Sequence, residues 1–233
     1  MKPIVRSYPD RAALERALVE ALEAVISGTH SSGERALMLS GGSTPLPAYR
    51  AIAAHRPQPA PGLHILFSDE RYVPSNSDAS NYFQTRPLID ALALDAARVL
   101  RIPTELPLAQ ATAQTAAAMA ALAARRVPLL LALVGLGADG HTCSLFTKQD
   151  LERARDEDAI AVARPDGLDA VSVTPRVLER AERVVFAIAG RDKQTATRAL
   201  AALDRSQTAA CAVAGCPQVE IWADQEALAL VEL

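Results

Sequence analysis

Six consecutive apolar residues, L-L-L-A-L-V at 129–134, run into Gly135 and a polar, glycine-rich turn. The run is far short of the ~20 residues of a membrane span. It also lacks the alternation of a strand with one wet face. It reads as a strand of a parallel sheet, covered by helices on both sides. Runs of similar kind recur along the chain: "ALMLS" (36–40), "LHILFSDE" (63–70), a short strand near 99–102, "AIAVA" (159–163), "DAVSVT" (169–174), "RVVFAIAG" (183–190) and "QVEIWAD" (218–224). Helical spacing fills the gaps between them. Asp10 reads as the N-cap of a helix that carries Leu14, Leu18, Ala21, Leu22 and Val25. Further helices are predicted from Pro45, over 82–93, 108–126, 175–181 and 192–203, and at the C-terminus. This alternation, with no repeat or linker, predicts one α/β domain over residues 1–233. Its sheet is mainly parallel and Rossmann-like, with helices on both faces.

Composition narrows the function classes. Half of the 233 residues are hydrophobic and 22% are charged, which is a globular balance. The formal net charge is −3, the basic residues are scattered and only 4% are aromatic. That argues against a nucleic-acid partner. Three cysteines, Cys143, Cys211 and Cys216, form an odd set that suggests reduced thiols and a cytoplasmic location. The N-terminal stretch has no apolar signal core, and no apolar run suggests a membrane partner.

Ligands of open α/β sheets bind outside the carboxyl ends of the strands. Four predicted strands end in polar clusters: "SGGSTP" (40–45), "SDER" (68–71), "GLGADGH" (135–141) and "AGRDK" (189–193). The third matches G-x-G-x-x-G, but it follows roughly the fourth strand, and the acids at 156–158 precede a strand. This is the wrong context for a dinucleotide site. Its glycines still permit tight turns with open N–H groups, and His141 is suited to general-base work near neutral pH. Asp139 stands two residues away and can orient the imidazole. Cys143 and Ser144 are nearby candidate nucleophiles, but no nucleophile elbow supports the serine. In "SGGSTP", Gly41 and Gly42 allow close backbone approach, and Ser43 and Thr44 offer hydroxyls at a helix N-terminus that favours phosphate. An ordinary turn with a capping hydroxyl explains the same residues. Asp69, Glu70 and Arg71 can orient a sugar, or simply form a solvated charged turn. Lys193 opens a helix and can reach a phosphate, or be a surface lysine.

Taken together, "LSGGSTP" (39–45), "DERYVPSNSDASNY" (69–82), "GLGADGHTCSLF" (135–146) and "GRDK" (190–193) resemble the 6-phosphogluconolactonase family in order and spacing. The resemblance covers essentially the whole chain. It implies a fold shared with glucosamine-6-phosphate deaminase and ribose-5-phosphate isomerase. It also implies hydrolysis of 6-phospho-D-glucono-1,5-lactone in the oxidative pentose phosphate pathway, with no organic cofactor and no metal. Carried onto this sequence, His141 is the base that activates water and Asp139 supports it. Arg71 orients the sugar or stabilises the oxyanion. The loop of Gly41, Gly42, Ser43 and Thr44 holds the phosphate with Lys193, while Asp69 and Asn81 shape the sugar side.

Two positions depart from the family pattern. An arginine is expected just before the strand that here reads "AVSVTP", but Ala170 stands there; Arg164 or Arg176 can supply the charge from nearby, or Lys193 acts alone. Thr147 replaces a proline at the loop exit. Two rival readings differ in class. A sugar-phosphate isomerase-deaminase resembles this pattern, but its histidine loop carries a glutamate that "TCSLFTK" lacks. A non-catalytic sugar-phosphate sensor would need a DNA-binding segment, whereas here a helix leads directly into the first predicted strand. Oligomeric state is left open.

Overall fold

The computed structural model describes residues 2–28 and 33–232. The chain starts with Ile4–Tyr8 (β1), Arg11–Ser27 (α1), Arg35–Leu39 (β2), Leu46–His55 (α2), Leu63–Phe67 (β3), Asp69–Arg71 (β4) and Asn81–Leu92 (α3). Next come Val99–Leu100 (β5), Leu108–Ala124 (α4), Leu129–Val134 (β6), Lys148–Arg153 (α5), Ala159–Ala163 (β7), Asp169–Val173 (β8) and Pro175–Leu178 (α6). Val184–Ile188 (β9), Gln194–Ala201 (α7), Thr208–Ala212 (α8), Val219–Asp224 (β10) and Gln225–Leu228 (α9) complete it.

Seven strands form a parallel sheet in the order β1-β10-β9-β6-β2-β3-β5. Its buried strands alternate between two cores, as a period-two strand must. In β6, Leu131 and Leu133 join Leu14, Leu18, Tyr49 and Phe67 on the side of α1, α2 and α3. Ala132 and Val134 face the other way, toward Met119 of α4 and Ala196 and Leu200 of α7. Asp10 caps α1 as expected, accepting from the Ala13 N–H at 2.7 Å.

Several expectations are corrected. The predicted strand at 63–70 is two strands in two sheets. Ser68 is the junction: its N–H donates to Leu39 O of the parallel sheet, and its carbonyl accepts from Val173 N–H. Asp69–Arg71 then joins a small antiparallel sheet, β4-β8-β7, with the two strands predicted at 159–174. A strand, β1, precedes the N-terminal helix. The predicted 192–203 helix opens with a 3-10 turn, Arg191–Lys193, and the C-terminal helix has four residues. Among the described residues, no helix is long and apolar enough to cross a membrane.

Strand order decides where a ligand fits. From β2 the chain steps outward to β3 and β5, then returns to place β6 on the other side of β2. The gap between β2 and β6 is therefore the topological switch point, where loops diverge and leave a crevice. The four polar strand ends lie on the consecutive strands β9, β6, β2 and β3 around it.

Candidate active site

A cleft of about 250 Å³ opens at this switch point. The loop after β2 contributes Ser40, Gly41 and Gly42; the β3–β4 junction contributes Ser68, Asp69 and Arg71; and Asn81 comes from the start of α3. The loop after β6 adds Gly135, Leu136, Gly137, His141 and Cys143, and Arg164 and Lys193 complete the wall. A larger hollow of about 320 Å³, beside Met119, Leu122 and Val177, is lined mainly by apolar side chains and has no convergent acid–base groups. The polar cleft is the chemically competent one.

The loop after β6 is closed on itself. Gly137 N–H donates to His141 O at 2.8 Å, Gly140 N–H to Gly137 O at 3.0 Å, and Thr142 Oγ1 to Gly135 O at 2.8 Å. The start of α8 ties it down from outside: Ala209 N–H donates to Gly140 O at 3.0 Å, and Thr208 Oγ1 to Leu145 O at 2.7 Å. Gly140 has φ +83°, which strains any side chain, and a Cβ there would press on the Gln207 side chain, so glycine is favoured. This frame sets His141 Nδ1 2.5 Å from Asp139 Oδ1, with the ring centroid 4.2 Å from that of Phe146. With Nδ1 taken up by Asp139, Nε2 is the ring nitrogen left for other partners. Burial alone would push the Asp139 carboxyl up; the His141 hydrogen bond and charge outweigh it and hold the group below its usual range.

Asp69 and Glu70 are both buried, so the reading of "SDER" as a solvated turn fails. Asp69 lines the cleft and accepts from Ser68 Oγ and Ser144 Oγ, each at 2.7 Å. Ser144 is fully buried in that bond and is not a free nucleophile. Cys143 borders the cleft, but burial pushes its thiol well up, which suits packing. Glu70 faces α3: it accepts from Ser80 Oγ, Asn81 N–H and Tyr82 N–H at 2.7–2.9 Å. Burial raises its pKa, against the pull of these donors. Glu70 thereby holds the helix start that delivers Asn81, whose Nδ2 donates to Asp69 O at 2.9 Å. Arg71 donates to Ala79 O at 2.9 Å.

Not every predicted residue reaches the wall. Gly41, Gly42, Asp69, Arg71, Asn81, His141 and Lys193 border the cleft, and Asp139 stands behind His141. Ser43 and Thr44 do not border it; Ser43 is exposed, and its carbonyl accepts from Arg11 at 2.6 Å. Neither caps α2, because Pro45 is the N-cap and no side chain fills that role. Of the two cations near Ala170, Arg164 lines the cleft, whereas Arg176 pairs with Asp158 at 3.3 Å. Ser40, Ser68 and the Ser144–Asp69 bond had no assigned role in the sequence reading. Ser40 Oγ, Asn81 Oδ1 and Arg71 Nε are buried here without a partner among the described residues. No group of three or more His, Cys, Asp and Glu side chains among the described residues is placed to hold a metal ion.

A family model described as Glucosamine-6-phosphate isomerases/6-phosphogluconolactonase matches residues 9–222. The chain belongs to this family. It is 32% identical to a 6-phosphogluconolactonase of Nostoc sp. over 84% of both chains. It is 34% identical to one of Synechocystis sp. over 78% of both. A solved monomeric glucosamine-6-phosphate deaminase shares the fold, with a TM-score of 0.80 over 97% of this chain and 99% of that one at 15% identity. Family membership thus spans both chemistries weighed from the sequence, and the cleft has to discriminate between them.

Proposed function

We propose that the protein hydrolyses 6-phospho-D-glucono-1,5-lactone to 6-phosphogluconate, the lactonase step of the oxidative pentose phosphate pathway, as a cytoplasmic single-domain enzyme. The observation that carries this reading is the Asp139–His141 pair at the edge of a cleft that also holds Arg71, Arg164 and Lys193. A base facing a cationic pocket suits an anionic substrate attacked by water. Both relatives above bear the lactonase name. The deaminase reading asks for a third acid on the histidine loop, and residues 142–147 contain none.

In this reaction Nε2 of His141 takes a proton from water as its oxygen bonds to the lactone carbonyl carbon. The carbonyl oxygen becomes an oxyanion, stabilised by Arg71 and by N–H groups of the glycine loops. The ring C–O bond then breaks, and the imidazolium returns its proton to the departing ring oxygen. The new acid ionises to the carboxylate. Asp139 holds the tautomer and offsets the transient imidazolium charge. The loop of Gly41, Gly42, Ser43 and Thr44 receives the phosphate with Lys193, Gly41 and Gly42 from the cleft wall and Ser43 and Thr44 from beyond it. Asp69, Asn81 and the free polar edges of Ser40 and Arg71 meet the sugar hydroxyls.

The test is hydrolysis of freshly generated lactone above its spontaneous rate. Wild type is expected to be active, and His141→Ala to lose about 10²–10⁴-fold with its fold intact. Equal activity in the two proteins moves the base elsewhere, with Asp69 next. An inactive wild type removes the lactonase reading altogether.

A further inference from the structure

The three cleft cations are held differently. Arg71 is tied to the Ala79 carbonyl, and Lys193 lies 3.5 Å from Asp192. Arg164 is clamped along one edge: Nε and one terminal nitrogen sit 2.7–3.2 Å from the Asp166 carboxylate. Its guanidinium lies over the Phe146 ring, 5.4 Å from the centroid, and Phe146 in turn packs on His141. Among the described residues, the second terminal nitrogen has only Ser144 Oγ as a hydrogen-bond partner, at 3.5 Å. That is too long for a strong bond, so this end of the fork keeps donors to spare inside the cleft. Only 14% of the side chain is exposed. A guanidinium pinned on one edge and free on the other is set up to receive an anion with little further ordering.

Sheet register explains how it arrives there. Ala170 of β8 pairs with Arg71 on one side and Val162 of β7 on the other. Arg164 lies two residues beyond Val162, and its N–H continues the ladder to Leu168 O. Residues two apart on a strand share a face. Arg164 therefore projects from the same face as Arg71 and Ala170, one rung farther along. Arg164 thus stands one rung from position 170 on the adjoining strand.

We propose that Arg164 is the second cationic phosphate ligand of the cleft, acting with Lys193. This rests on the sugar-phosphate reading of the site and not on lactone hydrolysis itself. The phosphate would bond to the free terminal nitrogen while Asp166 keeps the other edge. Arg176, committed to Asp158, takes no part.

Calorimetric titration of wild type, Arg164→Met and Arg164→Lys with 6-phosphogluconate and with inorganic phosphate tests the assignment without turnover. Arg164→Met is expected to weaken 6-phosphogluconate binding about 10–100-fold, the span of a charge-assisted bond. Arg164→Lys recovers part of that loss. Turnover supplies the second readout. Preference for the phosphorylated lactone over D-glucono-1,5-lactone should fall about tenfold or more in Arg164→Met, through KM more than kcat. Thermal unfolding checks that each variant is folded. Unchanged 6-phosphogluconate affinity, or an equal penalty on both lactones, overturns the proposal. If wild type hydrolyses no lactone yet binds 6-phosphogluconate, the lactonase reading fails while the titrations still decide Arg164.

Discussion

Asp139→Asn isolates the charge of the residue behind His141. In the native site, Asp139 Oδ1 accepts from the ring Nδ1 at 2.5 Å and from the His141 backbone N–H at 3.3 Å. Asparagine can keep its carbonyl oxygen in that place, facing both donors. The tautomer is then retained and only the charge disappears. Opposite charges about 4 Å apart interact by about 1 kcal/mol in water and about 4 kcal/mol at an effective dielectric of 20. The Asp139 side chain is 57% exposed and His141 is 24% exposed, so the pair sits between these limits. A loss of about 2 kcal/mol in the transition state follows, or about 30-fold in kcat/KM. Making the buried carboxylate of a serine-protease triad an amide costs about 10⁴ in kcat because the tautomer is lost. The assay is kcat/KM on fresh lactone, corrected for spontaneous opening, at low and high salt, since a half-exposed pair is partly screened. A loss below about threefold would refute the coupling between Asp139 and the base, and one above about 1,000-fold would refute the retained tautomer.

Gly137→Ala is expected to damage the same pair by shape alone, because the added Cβ would overlap both His141 Nδ1 and Asp139 Oδ1. Activity should fall about 10²-fold or more, as misplacement of a reacting group does, while the circular dichroism spectrum stays unchanged. The cysteines give a chemical readout of burial. Burial pushes the Cys143 thiol well up and the Cys216 thiol to about 12, so both stay protonated, and unreactive, at pH 8. Iodoacetamide at that pH should label Cys143 and Cys216 only slowly by peptide mass spectrometry; rapid labelling of Cys143 would contradict its packed environment.

The fold was legible where local pattern and tertiary environment agree. β6 and β9 are uniformly apolar because both faces are covered, and the sequence shows this without any knowledge of partners. β1 was not legible. Its "IVRSY" mixes polar and apolar residues at a sheet edge, and its register depends on β10, more than 200 residues away. The break at Ser68 was hidden for a different reason. Ser68 keeps extended backbone on both sides and only changes its partner, and no local signal marks a strand that changes sheets. The short helices α5 and α8 carry too few turns for a periodic signal, although Thr147 and Asp150 form a capping box at the start of α5.

The site shows the same division more sharply. Each polar cluster was visible as a strand end, yet its role turned on strand order and on partners distant in sequence. Nothing local separates "SDER" from a solvated turn. Asp69 becomes a cleft residue because Ser144, 75 residues away, donates to its second oxygen, and Glu70 becomes a helix anchor because Ser80, Asn81 and Tyr82 turn their donors toward it. Neighbouring carboxylates thus take different duties, and only folding tells them apart. The glycine loop and the Asp-Gly-His loop are nearly a hundred residues apart in sequence. They flank one crevice because β2 and β6 are adjacent, where the chain reverses its direction of growth across the sheet. Residue types set the chemistry available to the cleft, and the switch point brings them within reach of one substrate.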